Sequence, residues 1–343
     1  MKITTFGEVM MRLSTIDNAK IVSSDSFRIS FAGSEANVAV ALSYWGLDSQ
    51  YLTALPDNDL GQMALFDLNK YKIDTLSILL YKNKRLGIIF IELGANQRSS
   101  KVLYDRKKSA FFDCKFEKKY FRNAMSGSKW FHWSGITPGI SRGGIKNITN
   151  ALEVAKEMKI AVSCDLNHRG NLWDFGVNPK EIMPQLLSSA SVIIGNEEDA
   201  MLMLDLSLKN SSTNNVIKIE AYKDICNEIL KKYPNCEIVA FSLRESISAN
   251  HNNWSSILAT RDIFLHSTEY KIKNIIDRVG SGDSFSAGII YGLSNFKNDL
   301  ERVLEFATAA SCLKHSIGGD YCLFKKEEIF ELIDGNHSGR IVR

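Results

Sequence analysis

The chain lacks the features that would place it in several large classes of protein. Its six cysteines, Cys114, Cys164, Cys226, Cys236, Cys312 and Cys322, form no Cys-x-x-Cys pair, and 343 residues bury enough core to need no disulfide staples. Free thiols in a reducing cytoplasm are the expectation. No apolar stretch approaches the length that spans a bilayer. The first residues, Met-Lys-Ile-Thr-Thr-Phe-Gly-Glu8, carry a charge inside the first apolar run and offer no small-residue cleavage site, so a membrane or secretory location is not expected. Basic runs are absent too: 42 Lys and Arg are scattered against 39 Asp and Glu, and a net charge of +3 implies no nucleic-acid partner. There is no Gly-x-x-x-x-Gly-Lys-Ser/Thr, no Gly-x-Gly-x-x-Gly after the first strand, no metal spacing among the six histidines and no internal repeat. A P-loop, a Rossmann dehydrogenase and a histidine-based metal centre are thereby set aside.

What is present is an ordinary globular composition, 45% hydrophobic and 24% charged, over a length that suits one large domain with an insertion, or two domains. Strands are expected at Met1–Phe6 and Tyr51–Ala54, and helices at Glu35–Trp45 and Asp59–Lys70. Residues 10–31 read as extended, with Phe27, Ile29 and Phe31 alternating against Arg28 and Ser30. Leu86–Glu92 and Lys101–Arg106 read as two more strands joined by a polar turn, and with the first segment they predict a small separate sheet. From Trp130 strand and helix alternate: Trp130–Ser134, Gly144–Glu157, Ala161–Leu166, Lys180–Leu187, Ser191–Gly195. That alternation predicts a parallel sheet covered by helices. Residues 207–219 read as a polar loop, Leu300–Lys314 as a helix, and the tail from Asp334 as loose.

The most informative stretch is Asp277-Arg-Val-Gly-Ser-Gly-Asp283-Ser-Phe-Ser-Ala-Gly288. It follows the β-branched run Tyr270–Ile276 and opens a helix rich in small residues. Gly280 and Gly282 therefore sit in a turn that feeds a helix N-terminus, with Asp283 at its mouth. Free backbone N–H groups and the positive end of the helix dipole suit an anionic phosphoryl group there. A carboxylate beside that spot is placed to accept a proton from an attacking hydroxyl. The same residues have an ordinary use as a helix cap, so the turn by itself is weak evidence.

In open α/β sheets ligands bind beyond the carboxyl ends of the strands. Polar groups cluster there: Gly33-Ser-Glu-Ala-Asn37, Asp165-Leu-Asn-His-Arg169, Gly195-Asn-Glu-Glu-Asp199 and Ser242-Leu-Arg244. Singly, each has a structural reading, such as Asn196 as a helix N-cap. Their joint occurrence at successive strand ends points to a site.

On these residues the chain resembles the ribokinase-like (PfkB) family of sugar kinases over nearly its whole length. Gly33–Asn37 looks like the family's N-terminal signature and Asp277–Gly288 like its C-terminal one. Within the family it is similar to the 2-keto-3-deoxygluconate kinases, through Gly33–Ala39, Gln97–Arg106, Asp165–Arg169, Asn171–Trp173, Leu243–Ser246, Asn252–Trp254 and Lys314–Asp320. The resemblance implies one ribokinase-like α/β domain over 1–343, a central mostly parallel sheet flanked by helices on both faces. It also implies a small β-sheet lid from about 10–32 and 86–112. The implied reaction is phosphorylation of 2-dehydro-3-deoxy-D-gluconate at its 6-hydroxyl by ATP. The expected partners are a small sugar acid and ATP, in a cytoplasmic homo-oligomer formed through the lid.

The resemblance also implies residue roles. Asp283 would be the base, and the backbone of Gly280, Ser281 and Gly282 the anion hole. Gly33, Asn37, Tyr104, Arg106 and Arg169 would bind the sugar, with Arg169 or Arg12 meeting its carboxylate. Asn196, Ser242, Arg244, Gly280, Gly282 and His315 would bind the nucleotide. Mg²⁺ would arrive with ATP and be met through water by Asn196, Glu197 and Asp199, and a monovalent cation such as K⁺ is compatible with the family. His132, between Trp130 and Trp133, reads as strand packing. The chain departs from the pattern at Asp199, where a longer carboxylate is usual, and at Ile89, where relatives often carry a sugar-binding tyrosine. It departs again at Ser281, in place of alanine or glycine, and at Ser242-Leu-Arg244, in place of Thr-x-Gly. The alternatives are a kinase of the same fold for a neutral sugar such as fructose or ribose, and a non-catalytic sugar-acid sensor.

Overall fold

The computed structural model describes residues 1–206, 219–297 and 299–335. The expected polar loop at 207–219 falls almost wholly outside the described residues, as does most of the tail beyond Asp334.

The large sheet runs, edge to edge, through Phe264–His266, His251–Ala259, Ile238–Ser248, Val192–Gly195, Ala161–Asp165, Trp130–Ser134, Lys2–Phe6 and Asp48–Leu52, with Tyr270–Lys273 also paired to His251–Ala259. The six strands from Ile238–Ser248 to Asp48–Leu52 are mutually parallel, and only the end holding His251–Ala259 is antiparallel. Strands covered on both faces need no polar alternation. Val192-Ile-Ile194 shows why: Ile193 packs into one core layer, while Val192 and Ile194 pack into the other. The first layer is shared with helices such as Arg142–Glu157 and Pro179–Leu187, the second with Ser34–Tyr44, Ser281–Asn295 and Leu300–Lys314. His132 is fully buried in its strand, bonds Ser163 Oγ through Nδ1 at 2.8 Å, and has its pKa lowered to about 3 by burial, as a packing residue should.

The small-residue pattern after Asp283 is explained by helix-on-helix contact. A Cβ at Gly288 would lie 2.5 Å from Ala307 Cα, and one at Gly292 would lie 2.9 Å from Val303 Cγ1. The helix opened by the Gly280 turn is thus seated against Leu300–Lys314 at a separation that a larger side chain would prevent.

A second sheet of four strands runs Phe27–Ala32, Met10–Thr15, Gly87–Glu92 and Lys101–Asp105. These are the segments expected to form the small sheet. Its side chains alternate as strand geometry requires. Ile89, Ile91, Val102 and Tyr104 line a cleft against the large sheet, while cross-strand register sets Ile29, Leu13, Phe90 and Leu103 in a row on the opposite face.

Candidate active site

The cleft between the two sheets has a volume of about 400 Å³. Its floor is made where the parallel strands end: Asp165 closes one strand, Gly195-Asn196 the next, and Ser242 lies in the one after. The Gly280-Ser-Gly-Asp283 turn completes the wall.

The turn's shape follows from one backbone angle. Gly280 has φ +85°, the left-handed region, and acts as the N-cap of Ser281–Asn295. The first N–H groups of that helix have no partner within it, so they and the dipole face the cleft with partial positive charge. Ser281 turns back on the segment before it: its hydroxyl, at 2.9 Å, and its backbone N–H, at 3.4 Å, both donate to the Arg278 carbonyl.

Asp283 stands in the first turn of this helix, 8% exposed. Ser34 Oγ donates to its Oδ1 and Asn37 Nδ2 to its Oδ2, both at 2.6 Å. Asn167 Nδ2 donates in turn to Ser34 Oγ at 2.9 Å. Burial raises the Asp283 pKa, and the bonds from Ser34 and Asn37, then the charges of Arg169 and Lys314, work against that rise. The product is a carboxylate fixed in place and more basic than a free aspartate, the combination a general base needs.

Arg169 lines the cleft, and among the described residues its guanidinium hydrogen-bonds only the neighbouring His168 carbonyl, at 3.0 Å. Its charge acts on three buried carboxyls, those of Asp165, Asp199 and Asp283. Burial, then the neighbouring Asp283, pushes Asp165 well above the carboxylate range, and burial lifts Asp199 to about 6. Arg169 is therefore a cation held beside acids without being consumed by any of them, and can take up an anionic group of a ligand.

Tyr104, Asn196, Glu197, Asp199, Ser242 and Arg244 all line the cleft, as does Ile89. Asn196 is a true N-cap: its Oδ1 accepts from Asp199 N at 2.8 Å, and its Nδ2 donates to Asp199 Oδ2 at 3.0 Å. The shorter carboxylate at Asp199 thus folds back on the cap. Gly33 and Asn37 are not part of the cleft wall. Gly33 lets two backbones meet, since a Cβ there would lie 2.3 Å from the Glu8 carbonyl oxygen, and Asn37 orients Asp283.

Two arginines read as sugar-binding candidates are placed otherwise, and His315 is set back from the cleft behind Trp254. Arg12 is buried and bridges two carboxylates, Nη2 to Asp277 and Nη1 to Asp320, with Nε on Ser14 Oγ at 2.7 Å. Taking it out of that pairing to meet a substrate would leave two buried carboxylates uncompensated, a cost of about 3–5 kcal/mol. Its assignment to the substrate carboxylate is corrected accordingly. Arg106 is buried against Glu8, with Nε 2.7 Å from Oε2, and its guanidinium lies 5.7 Å from the Tyr104 ring centroid; it supports Tyr104 rather than lining the cleft. His315 is buried, with Nδ1 2.8 Å from the Ser311 carbonyl, and its ring meets that of Trp254, which does line the cleft.

Sequence reasoning missed Ser34, Asp165, Asn167 and Arg278. All four lay inside motifs already singled out, but their roles depend on partners far along the chain. Arg278 lines the cleft beside Arg244, whose charge, after burial, lowers the Arg278 pKa. Two adjacent cations at that end suit a polyphosphate.

Comparisons with known proteins agree with this geometry. The pattern of the pfkB family carbohydrate kinases matches residues 1–322. The crystal structure of a 2-dehydro-3-deoxygluconokinase from Thermotoga maritima superposes with a TM-score of 0.91 at 42% identity, covering 98% of this chain and 100% of that one. A PfkB family carbohydrate kinase from Listeria grayi gives 0.87 at 31% identity, covering 97% and 100%. A 2-dehydro-3-deoxygalactonokinase of Haloferax volcanii is 25% identical over 338 residues, 98% of each chain. With Asp283, the glycine turn and the two-sheet cleft all falling inside the matched span, the chain belongs to the pfkB family of carbohydrate kinases.

Proposed function

We propose that the protein transfers the γ-phosphoryl group of ATP to the terminal hydroxyl of a 2-keto-3-deoxy sugar acid, with 2-dehydro-3-deoxy-D-gluconate as the substrate and its 6-phosphate and ADP as products. The observation that carries this is the pairing in one cleft of Asp283, held by Ser34 and Asn37 at the mouth of the Gly280 turn, with the unspent guanidinium of Arg169. The sugar-acid activities of the Thermotoga and Haloferax relatives support the substrate class.

Asp283 takes the proton of the attacking hydroxyl, the new O–P bond forms as the bond from the γ-phosphorus to the β,γ-bridging oxygen breaks, and ADP leaves. The N–H groups at the Gly280 turn receive the charge on the transferring oxygens. Arg169 meets the sugar carboxylate, while Tyr104 and Ile89 bound the sugar from the small sheet, which acts as a lid that excludes water. Arg244, Arg278 and Ser242 take the phosphates at the other end.

Among the described residues no three His, Cys, Asp or Glu side chains form a metal cage, yet Glu197, Glu198 and Asp199 open a helix on the cleft wall. That donor set fits Mg²⁺ held mainly by the triphosphate and met by these acids through water. When bound, the ion would supply positive charge against the charge of the phosphates.

The row Ile29, Leu13, Phe90 and Leu103 on the outer face of the lid includes two well-exposed apolar side chains, Ile29 at 53% and Leu103 at 42%. We propose a second copy of the chain as its occupant. Light scattering is expected to give a multiple of the 38.5 kDa chain mass and a monomer for the double variant I29E/L103E; a monomeric wild type would end this assignment. No helix among the described residues is long and apolar enough to cross a membrane. The six cysteines are all free, in keeping with a reducing cytoplasm where ATP is available.

The test is ADP release with Mg-ATP across 2-keto-3-deoxygluconate, its galacto epimer, 5-keto-2-deoxygluconate, fructose, ribose and a blank. Turnover is expected with the 2-keto-3-deoxy acids. R169M should raise KM for the acid by about tenfold to a hundredfold, the worth of one charge-assisted hydrogen bond, with kcat less affected. Turnover only with fructose or ribose would overturn the sugar-acid reading.

A further inference from the structure

Behind the Gly280 turn lie four charged side chains that phosphoryl transfer does not touch. Arg12 comes from the lid sheet, Asp277 opens the turn, Lys314 ends the helix Leu300–Lys314, and Asp320 sits in the loop that follows. Their exposures are 1%, 2%, 0% and 4%. Two cations against two anions make the cluster neutral, but the cations are not used alike. Arg12 alone forms ion pairs with both carboxylates.

Lys314 does something else. Its Nζ donates to two backbone carbonyls, that of Asp277 at 3.4 Å and that of Ile317 at 3.3 Å. One belongs to the segment entering the anion-hole turn and the other to the loop 315–320. The same two segments meet at other points. Asp277 Oδ2 accepts from Gly319 N at 3.1 Å, while its Oδ1 accepts from Val279 N within its own segment. Gly280 packs so closely on Asp320 that a Cβ would lie 2.0 Å from its carbonyl oxygen. Lys314 is thus a compact unit charge clamping carbonyl oxygens of two loops, in a place too buried for water to take over.

Burying an ammonium is costly unless the charge is used. Hard carbonyl oxygens around a single positive charge are the coordination chemistry of a monovalent cation. We infer that Lys314 serves as a built-in monovalent cation: a positioning residue that ties the entry to the anion hole to the 315–320 loop, so that no diffusible K⁺ is needed for turnover. The inference rests on the phosphoryl-transfer reading of the turn. Wild-type turnover tests that reading alone, and the ratio of variant to wild type tests this one.

The experiment compares wild type, K314M and K314A using Tris salts of ATP and sugar, with tetramethylammonium, then K⁺ or NH₄⁺, as the added cation. Wild-type kcat should change less than about twofold between them, while kcat of both variants falls about a hundredfold, the scale of losing one oxyanion-hole donor. KM for the sugar should stay within about threefold, because the lost interaction acts in the transition state. Adding NH₄⁺ or K⁺ should return at least about tenfold of the K314A rate, since the vacated space admits a small cation but not tetramethylammonium. A wild type that requires K⁺, a K314M enzyme with full kcat, or a K314A deficit that neither ion relieves would each overturn the inference. If K314A does not fold, the wild-type cation response and K314M decide it.

Discussion

Asp283→Asn should lower kcat by about a thousandfold, within the range of a lost general base, while the protein stays folded and keeps its affinity for ATP. Ser34 and Asn37 together hold this carboxylate, one on each oxygen, and an amide in its place cannot take the proton. The sign of the accompanying stability change follows from the raised pKa, whose largest cause is burial. A carboxyl whose native pKa lies above its unfolded value stabilises the fold when protonated, and that contribution is lost as pH rises through the native pKa. At neutral pH the ionised Asp283 is therefore a burden on stability, and D283N should show a Tm equal to or above wild type. The gap should close as pH falls below the native pKa. The wild-type kcat/KM should fall on the acid side through a pKa above the ordinary aspartate range, with Asp165, Glu35, Arg169 and Lys314 as the charged groups acting on or beside it. A pH–rate profile and a thermal melt check both signs. An active D283N enzyme would leave the base assignment without support.

Gly280→Ala should be nearly as damaging, for a different reason. An alanine at φ +85° carries the left-handed penalty of about 1–2 kcal/mol, and its Cβ would sit 2.0 Å from the Asp320 carbonyl oxygen. Backbone does not yield as a side-chain tip does. The loop carrying Asp320 must shift, which disturbs the Arg12 pairing and the N–H groups facing the cleft. A drop in kcat of about a hundredfold to a thousandfold is expected from a displaced anion hole, together with a lower Tm. Gly282→Ala is the control for stability: a Cβ there meets nothing within 4 Å and the residue is already helical, so its Tm should match wild type. Equal melts for G280A and wild type would show that the turn tolerates a side chain and that the packing argument is wrong.

Arg12 and Arg169 look alike in the sequence, each an arginine near a strand end, and both read as partners for a carboxylate. The structure gives them opposite fates. The Arg12 partners are Asp277 and Asp320, 265 and 308 residues away, and no local pattern announces them. Arg106 was separated from Glu8 by 98 residues in the same way. Ser34, one residue past Gly33, was passed over because its value lies in Asp283, 249 positions later.

What the sequence by itself determined was whatever depends on neighbours along the chain. Hydrophobic runs at strand spacing set the parallel sheet, alternation at 86–92 and 101–106 set the small sheet, and the Gly280 turn before a small-residue helix placed Asp283 at a helix N-terminus. These follow from backbone sterics and side-chain periodicity, which act over a few residues. The tertiary structure alone decided which charges neutralise one another and which stay available. A buried charge is stable only with a partner, and partners are chosen by packing across the fold. That is why Arg12 and Lys314 brace the turn from behind while Arg169 is left facing the cleft.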